Sequence, residues 1–277
     1  MKFRHFFLIF AVFAVLTGCQ PKALVRVDNV NQAKPINQNQ SEKPAVIENT
    51  TTPNAVKTPV VETSTPTVTK PKTTDNPEVV IPKFLDYPVA FATQAPYTNW
   101  DALHEEACEE AAMTMAEKYF KKESLSAHVM EQSILNLVKW EEAHGYKVDL
   151  TADEATEILK TYFGLKAVVV DDVSVNRIKQ ELIAKKLIII PAAGRQLGNP
   201  NFKQPGPIYH MLILRGYDDN KGEFITNDPG TRKGEGYRYR YQVLIDAIHD
   251  WPAALALDGM ADEEIETGRK VMIVVNL

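Results

Sequence analysis

Between Pro21 and Lys83 the chain is a run of Thr, Pro, Asn, Val, Lys and Gln without aromatic residues, and this stretch decides where a fold can form. Prolines at Pro53, Pro59, Pro66, Pro71 and Pro77 lack the N–H that a helix or a central strand needs, so they forbid regular helix and discourage a packed sheet. Too few large apolar side chains remain to offset the entropy lost on ordering. Residues 20–83 therefore read as a solvated tether. A flexible chain of that length spans on the order of 45 Å root-mean-square. Folding is confined to residues 84–277, enough for one domain with a substantial core, and no internal repeat is evident.

Ahead of the tether, Lys2 and Arg4 precede an apolar run from Phe6 to Leu16 that gives way to small residues. That is the layout of a secretory signal, and the run is short of the roughly 20 apolar residues that span a bilayer. The segment Leu16-Thr17-Gly18-Cys19 resembles the lipobox of bacterial lipoproteins. The resemblance implies a leader over residues 1–19, with Cys19 acylated as the mature N-terminus and the domain held at a membrane outside the cytoplasm. Gln20 stands where an inner-membrane retention signal usually shows Asp, which implies the outer membrane if the organism has two. The competing reading is an ordinary leader with a chance cysteine.

Lys and Arg number 31 against 36 Asp and Glu, for a formal net charge of −5, which gives no support for nucleic acid as a partner. The chain has two cysteines, so once Cys19 is set aside Cys108 has no intramolecular partner. In an exported protein such a thiol is a liability unless it is buried or used.

Apolar residues from Cys108 through Ala111, Ala112, Met115, Tyr119 and Phe120 follow helical spacing, which predicts a helix from about Glu105 to Lys121. A second helix carries Val129, Ile134 and Leu137 and stops near Gly145. Thr151 and Glu154 form a capping box for a third, ending at Gly164, and Ser174 starts another. Strands are predicted over residues 167–170, 187–190, 210–217, 224–227, 237–241 and 270–276, with a turn at 219–222, a loop at 194–207 and a helix around 243–249. Helices first and mostly antiparallel strands later indicate an α+β domain.

Cys108 lies near the start of its helix, where backbone N–H groups and the macrodipole favour a thiolate. Glu105, Glu106, Glu109 and Glu110 crowd it and act in the opposite direction. By itself a free cysteine is commonly a small buried hydrophobe. His210, at the start of an apolar strand, is bland alone, and so is Asp228 in the turn Asn227-Asp228-Pro229-Gly230. Together they follow the order thiol, imidazole, acid of papain-like nucleophilic catalysis. Asn227 competes with Asp228, although strand alternation points the two side chains to opposite faces.

The segments 106–113, 210–218 and 227–229 resemble peptidase family C39, papain-like cysteine peptidases related to domains that trim double-glycine leaders from bacteriocins. The resemblance spans roughly Val89 to Val275 and is weak between these segments. It implies a papain-like fold, with the nucleophile's helix packed on a mostly antiparallel sheet. It further implies Cys108 as nucleophile, His210 as general base, Asp228 as the group orienting the imidazole, and no metal or organic cofactor. Gln94 is the best match to the family's oxyanion-hole glutamine, although Tyr97 to Ala107 look like an insertion and Ala107 stands where glycine is common. His104, four residues before Cys108, lacks the second Cys/His pair of a zinc site, and Asp218 to Gly222 reads as a hairpin turn rather than a calcium loop. The expectation is a monomeric envelope peptidase acting on a peptide or a peptidoglycan peptide. The alternative is a peptide-binding module that has kept the fold without activity.

Overall fold

The computed structural model describes residues 81–254 and 261–277. The expected leader, Cys19 and all but the last three residues of the expected tether lie outside the described residues.

The chain enters through a short strand, β1 (Phe84–Asp86), and a one-turn helix, α1 (Ala102–Glu105). Helices α2 (Cys108–Lys121), α3 (Ala127–His144) and α4 (Ala152–Thr161) follow. Then come β2 (Lys166–Val170), α5 (Val175–Ile183), β3 (Leu187–Ala193), β4 (Tyr209–Asp218), β5 (Glu223–Asn227) and β6 (Tyr237–Arg240). Helices α6 (Tyr241–Ala247) and α7 (Asp262–Ile265) precede the last strand, β7 (Met272–Asn276).

Local sequence explains most boundaries. Thr151 and Glu154 cap α4 reciprocally, as their spacing predicts. The side chains of Ser126 and Ser174 accept the Val129 and Arg177 N–H groups at the starts of α3 and α5. Gly145 ends α3 at φ +81°, a left-handed conformation that costs glycine nothing.

Several boundaries differ from expectation, among them the end of α4 at Thr161 rather than Gly164 and the start of β7 at Met272 rather than residue 270. The helix predicted from Glu105 is broken at Glu106 and Ala107, and α2 starts afresh at Cys108. Asp101 caps the preceding turn by accepting the His104 N–H, which gives α1 an end of its own. Strand β3 continues past Ile190 to Ala193 through Pro191. The helix expected at 243–249 begins two residues earlier, where β6 stops.

Among the described residues the sheet has seven strands, in the order β2-β7-β3-β4-β5-β6, with β1 on β4. Every pairing is antiparallel. Strand β4 is the long central element: residues 209–214 pair with β3, and residues 216–218 pair with β1. Its alternation sorts side chains between two cores. Met211 and Ile213 face α2, α3 and α4 with Met113, Leu137 and Leu159. Leu212 and Leu214 face α5 and α6 with Ile178, Phe224 and Leu244. Burying each such side chain stabilises the fold by about 1.5–3 kcal/mol. The start of α2 is thus set against the start of β4, and His210 lies at that junction.

Candidate active site

Cys108 is the first residue of α2, and the sheet fixes where its sulfur lies. The Met211 N–H, one residue beyond His210 on β4, donates to Sγ at 3.2 Å. The thiol itself donates to Glu109 Oε2 at 3.0 Å, and Glu109 Oε1 accepts the Leu150 N–H at 3.3 Å. No hydrogen bond joins Sγ to the imidazole in this arrangement. Burial, followed by the Glu109 charge and the hydrogen bond to it, pushes the thiol well above its ordinary pKa. The Met211 N–H pulls the other way without winning. The thiolate-favouring effect expected of a helix start is overridden here. Glu109 is itself raised to about 8, by burial and then by the charge of Asp149.

His210, 1 % exposed, is fixed from two sides. Its Nε2 lies 2.8 Å from Asp228 Oδ1, and the edge of Phe202 packs against the ring at 5.3 Å between centroids. Asp228 sits just beyond β5 and is fully buried, yet every contact favours its charge. Oδ2 accepts from the Tyr239 hydroxyl at 2.5 Å and from Asn199 Nδ2 at 3.1 Å, and Oδ1 accepts the Gly230 N–H at 3.0 Å. Burial alone raises its pKa; the His210 charge and these hydrogen bonds outweigh it and hold the carboxyl below its usual value. An ionised Asp228 only accepts, so Nε2 carries the proton and Nδ1 is left as the basic nitrogen.

Asn227 points the other way, as alternation requires. It donates to the Val89 carbonyl at 3.0 Å and accepts from Arg215 at 3.1 Å, so it ties β5 to the incoming chain. Gly230 is glycine for want of room: a Cβ there would lie 2.9 Å from His210 Cε1.

The structure brings Cys108, His210 and Asp228 to one junction, with Cys108, His210 and Gln94 lining a single cleft of about 970 Å³. Gln94 departs from its expected role. Its Nε2 donates to the carbonyls of His104 at 3.0 Å and Glu105 at 2.9 Å, which commits both amide hydrogens to α1. What the side chain leaves without a partner is its buried Oε1, an acceptor, so it does not present itself here as an oxyanion donor. By contrast, the N–H of Cys108 makes no hydrogen bond among the described residues, as the first turn of a helix allows. His104, set aside as a metal ligand, is buried with Nδ1 2.7 Å from Asp101 and Nε2 3.2 Å from Glu131, and it fastens α1. Among the described residues no three His, Cys, Asp or Glu side chains are grouped as a metal site, and no helix is long and apolar enough to cross a membrane.

Sequence reasoning missed Tyr239 and Asn199, which hold Asp228 from elements distant in sequence. Residues 237–241 are expected as a strand, but nothing in that expectation says what the buried Tyr239 touches.

A thiol at a helix start and an imidazole–carboxylate pair on the facing sheet define the layout of a cysteine peptidase of the papain-like kind. The chain belongs to the Peptidase_C39 like family, whose model matches residues 89–254. A solved structure described as a C39-like peptidase from Bacillus anthracis is similar, at 12% identity and a TM-score of 0.43, over 71% of this chain and 98% of that one. Xylellain, a cysteine protease from Xylella fastidiosa, is similar at 13% identity and a TM-score of 0.34, over 71% of this chain and 87% of that one. Among curated proteins none matches the chain.

Proposed function

We propose that this protein hydrolyses a peptide bond through a thioester on Cys108. The observation that carries the reading is the placement of Sγ 3.2 Å from the N–H of Met211 while the neighbouring His210 is bound at 2.8 Å to an ionised Asp228. In the first step His210 Nδ1 takes the thiol proton and Sγ attacks the scissile carbonyl carbon. In this reading the N–H of Cys108 donates to the resulting oxyanion. The C–N bond then breaks, and the imidazolium protonates the departing amine. In the second step His210 deprotonates water, which attacks the thioester carbon; the C–S bond breaks, the acid departs, and the imidazolium returns its proton to the sulfur. Asp228 keeps the proton on Nε2 throughout, so that Nδ1 faces the chemistry. Lipid on Cys19 and the tether would set this activity in the cell envelope, at a membrane surface, where peptides and peptidoglycan peptides are the accessible substrates.

One observation favours a second reading, a peptide-binding protein without turnover: the thiol is bonded to Glu109 and its pKa is raised. The test separating the two is cleavage of a peptide mixture by the protein and by its Cys108→Ala variant, read by mass spectrometry. The peptidase reading expects new termini from the first and none from the second. Peptides bound but left intact by both would establish the second reading.

A further inference from the structure

The cleft is walled by two parts of the chain that carry opposite charge. On the cysteine side stand Glu105 and Glu106, just before α2, and Asp149. On the histidine side stand Arg195, Lys203, Arg232 and Lys233. The second wall is fixed relative to the imidazole: the backbone at Gly230 lies so close to His210 that a Cβ would come within 2.9 Å of the ring. Arg232 and Lys233 come two and three residues later, exposed; the Lys233 N–H donates to the Thr231 hydroxyl at 3.2 Å, but among the described residues no salt bridge or hydrogen bond engages the side chain of either. Lys203 Nζ reaches Glu105 Oε1 at 3.3 Å, joining the two walls. With Lys203 89 % exposed, that pair is easily displaced. Among the described residues Glu106 and Asp149 have no such cationic partner. Burial and the neighbouring Glu105 raise the Glu106 pKa, and burial and Glu106 raise Asp149 to about 6. A cation placed among them would relieve that crowding.

An extended peptide laid between two walls turns successive side chains to opposite sides, one about every 3.3 Å. We infer that the segment bound beside Cys108 is an extended peptide whose neighbouring side chains carry opposite charges, a carboxylate towards Arg232 and Lys233 and a cation towards Glu105, Glu106 and Asp149. This rests on the peptidase reading for the cleft but concerns what the cleft selects. Such pairs at a wet rim act through modest, salt-screened attraction and through rejection of like charge.

The test uses the full chain in detergent, its Cys108→Ala variant as a trap, and peptide pools randomised except at two central neighbouring positions. Those are fixed as Glu–Lys, Lys–Glu, Glu–Glu or Lys–Lys. Binding to the trap is measured by affinity selection, and cleavage by the active chain by mass spectrometry. At low salt a mixed-charge pool is bound, and cleaved, about fivefold to tenfold better than either like-charge pool, and high salt collapses the difference. Combining Arg232→Glu with Lys233→Glu removes that advantage. Selective binding without cleavage keeps this inference and overturns the peptidase reading. Cleavage equal across the pools, or binding equal across them, overturns the inference and leaves the peptidase reading to the cleavage result. Pools neither bound nor cleaved overturn both.

Discussion

Glu109→Gln should change how the Cys108 thiol titrates, and only in alkaline solution. In the structure Glu109 Oε2 is 3.0 Å from Sγ, and its carboxyl loses its proton at about 8. Two negative charges about 3–4 Å apart repel by about 4–6 kcal/mol at an effective dielectric of about 20, or about 3–4 pKa units. Below pH 8 Glu109 is mostly neutral, and the wild-type thiolate fraction rises tenfold per pH unit. Above it, each proton lost from Glu109 suppresses ionisation of the neighbouring thiol, so the rise flattens. Gln cannot ionise and keeps an oxygen for the Leu150 N–H. The ratio of variant to wild-type alkylation rates should therefore be about 1 at pH 7, about 2 at pH 8 and about 10 at pH 9. The assay is iodoacetamide labelling of the native protein, with Cys108 followed by peptide mass spectrometry. A ratio that stays constant from pH 6 to 9, or falls below one, would refute the reasoning.

Asp228→Ala should lower turnover clearly more than Asn227→Ala, though by less than Cys108→Ala, because Asp228 fixes the imidazole tautomer while Asn227 bonds to the Val89 carbonyl; kcat/KM for the three variants checks the order. The Glu141 carboxyl, raised by burial from 4.5 to about 7, contributes stability that is fully present below about pH 4.5 and is lost as pH rises towards 7. Glu141→Gln should accordingly melt with the wild type at pH 4.5 and be more stable by on the order of 3 kcal/mol at pH 8; equal melting temperatures at pH 8 would contradict this. Cys19→Ser should abolish metabolic lipid labelling and leave the protein uncleaved or released, and a labelled variant in the membrane fraction would argue against lipid attachment there.

What could be read from the sequence is what short-range rules control. The Thr151–Glu154 capping box and the apolar run from Met211 to Leu214 express themselves within a few residues, and the structure has both where spacing puts them. The break before α2 is different. The apolar stripe begins only at Cys108, past the break, and so gives no sign of it; the break goes with the Asp101 cap and with the clamp of Gln94 on two carbonyls of α1. Strand β1, at three residues, is too short to show a period, and it exists by pairing with β4. Chain order pointed to the thiol, imidazole and acid. Their surroundings were hidden because they come from afar: Asn199 and Tyr239 on Asp228, Phe202 on His210, Leu150 on Glu109. Crowding of Cys108 by glutamates was visible as composition, but only the structure shows that Glu109 is the one that takes the thiol's hydrogen bond.

The central claim is that Cys108 forms a covalent bond to the acyl half of a peptide. Rapid acid quenching of the protein during peptide cleavage, followed by mass spectrometry of the Cys108 fragment, tests it most directly. The account predicts an acyl adduct on Cys108 that hydroxylamine removes and that Cys108→Ala lacks. Peptide cleavage that proceeds with Cys108 unmodified, or that persists in Cys108→Ala, would contradict it.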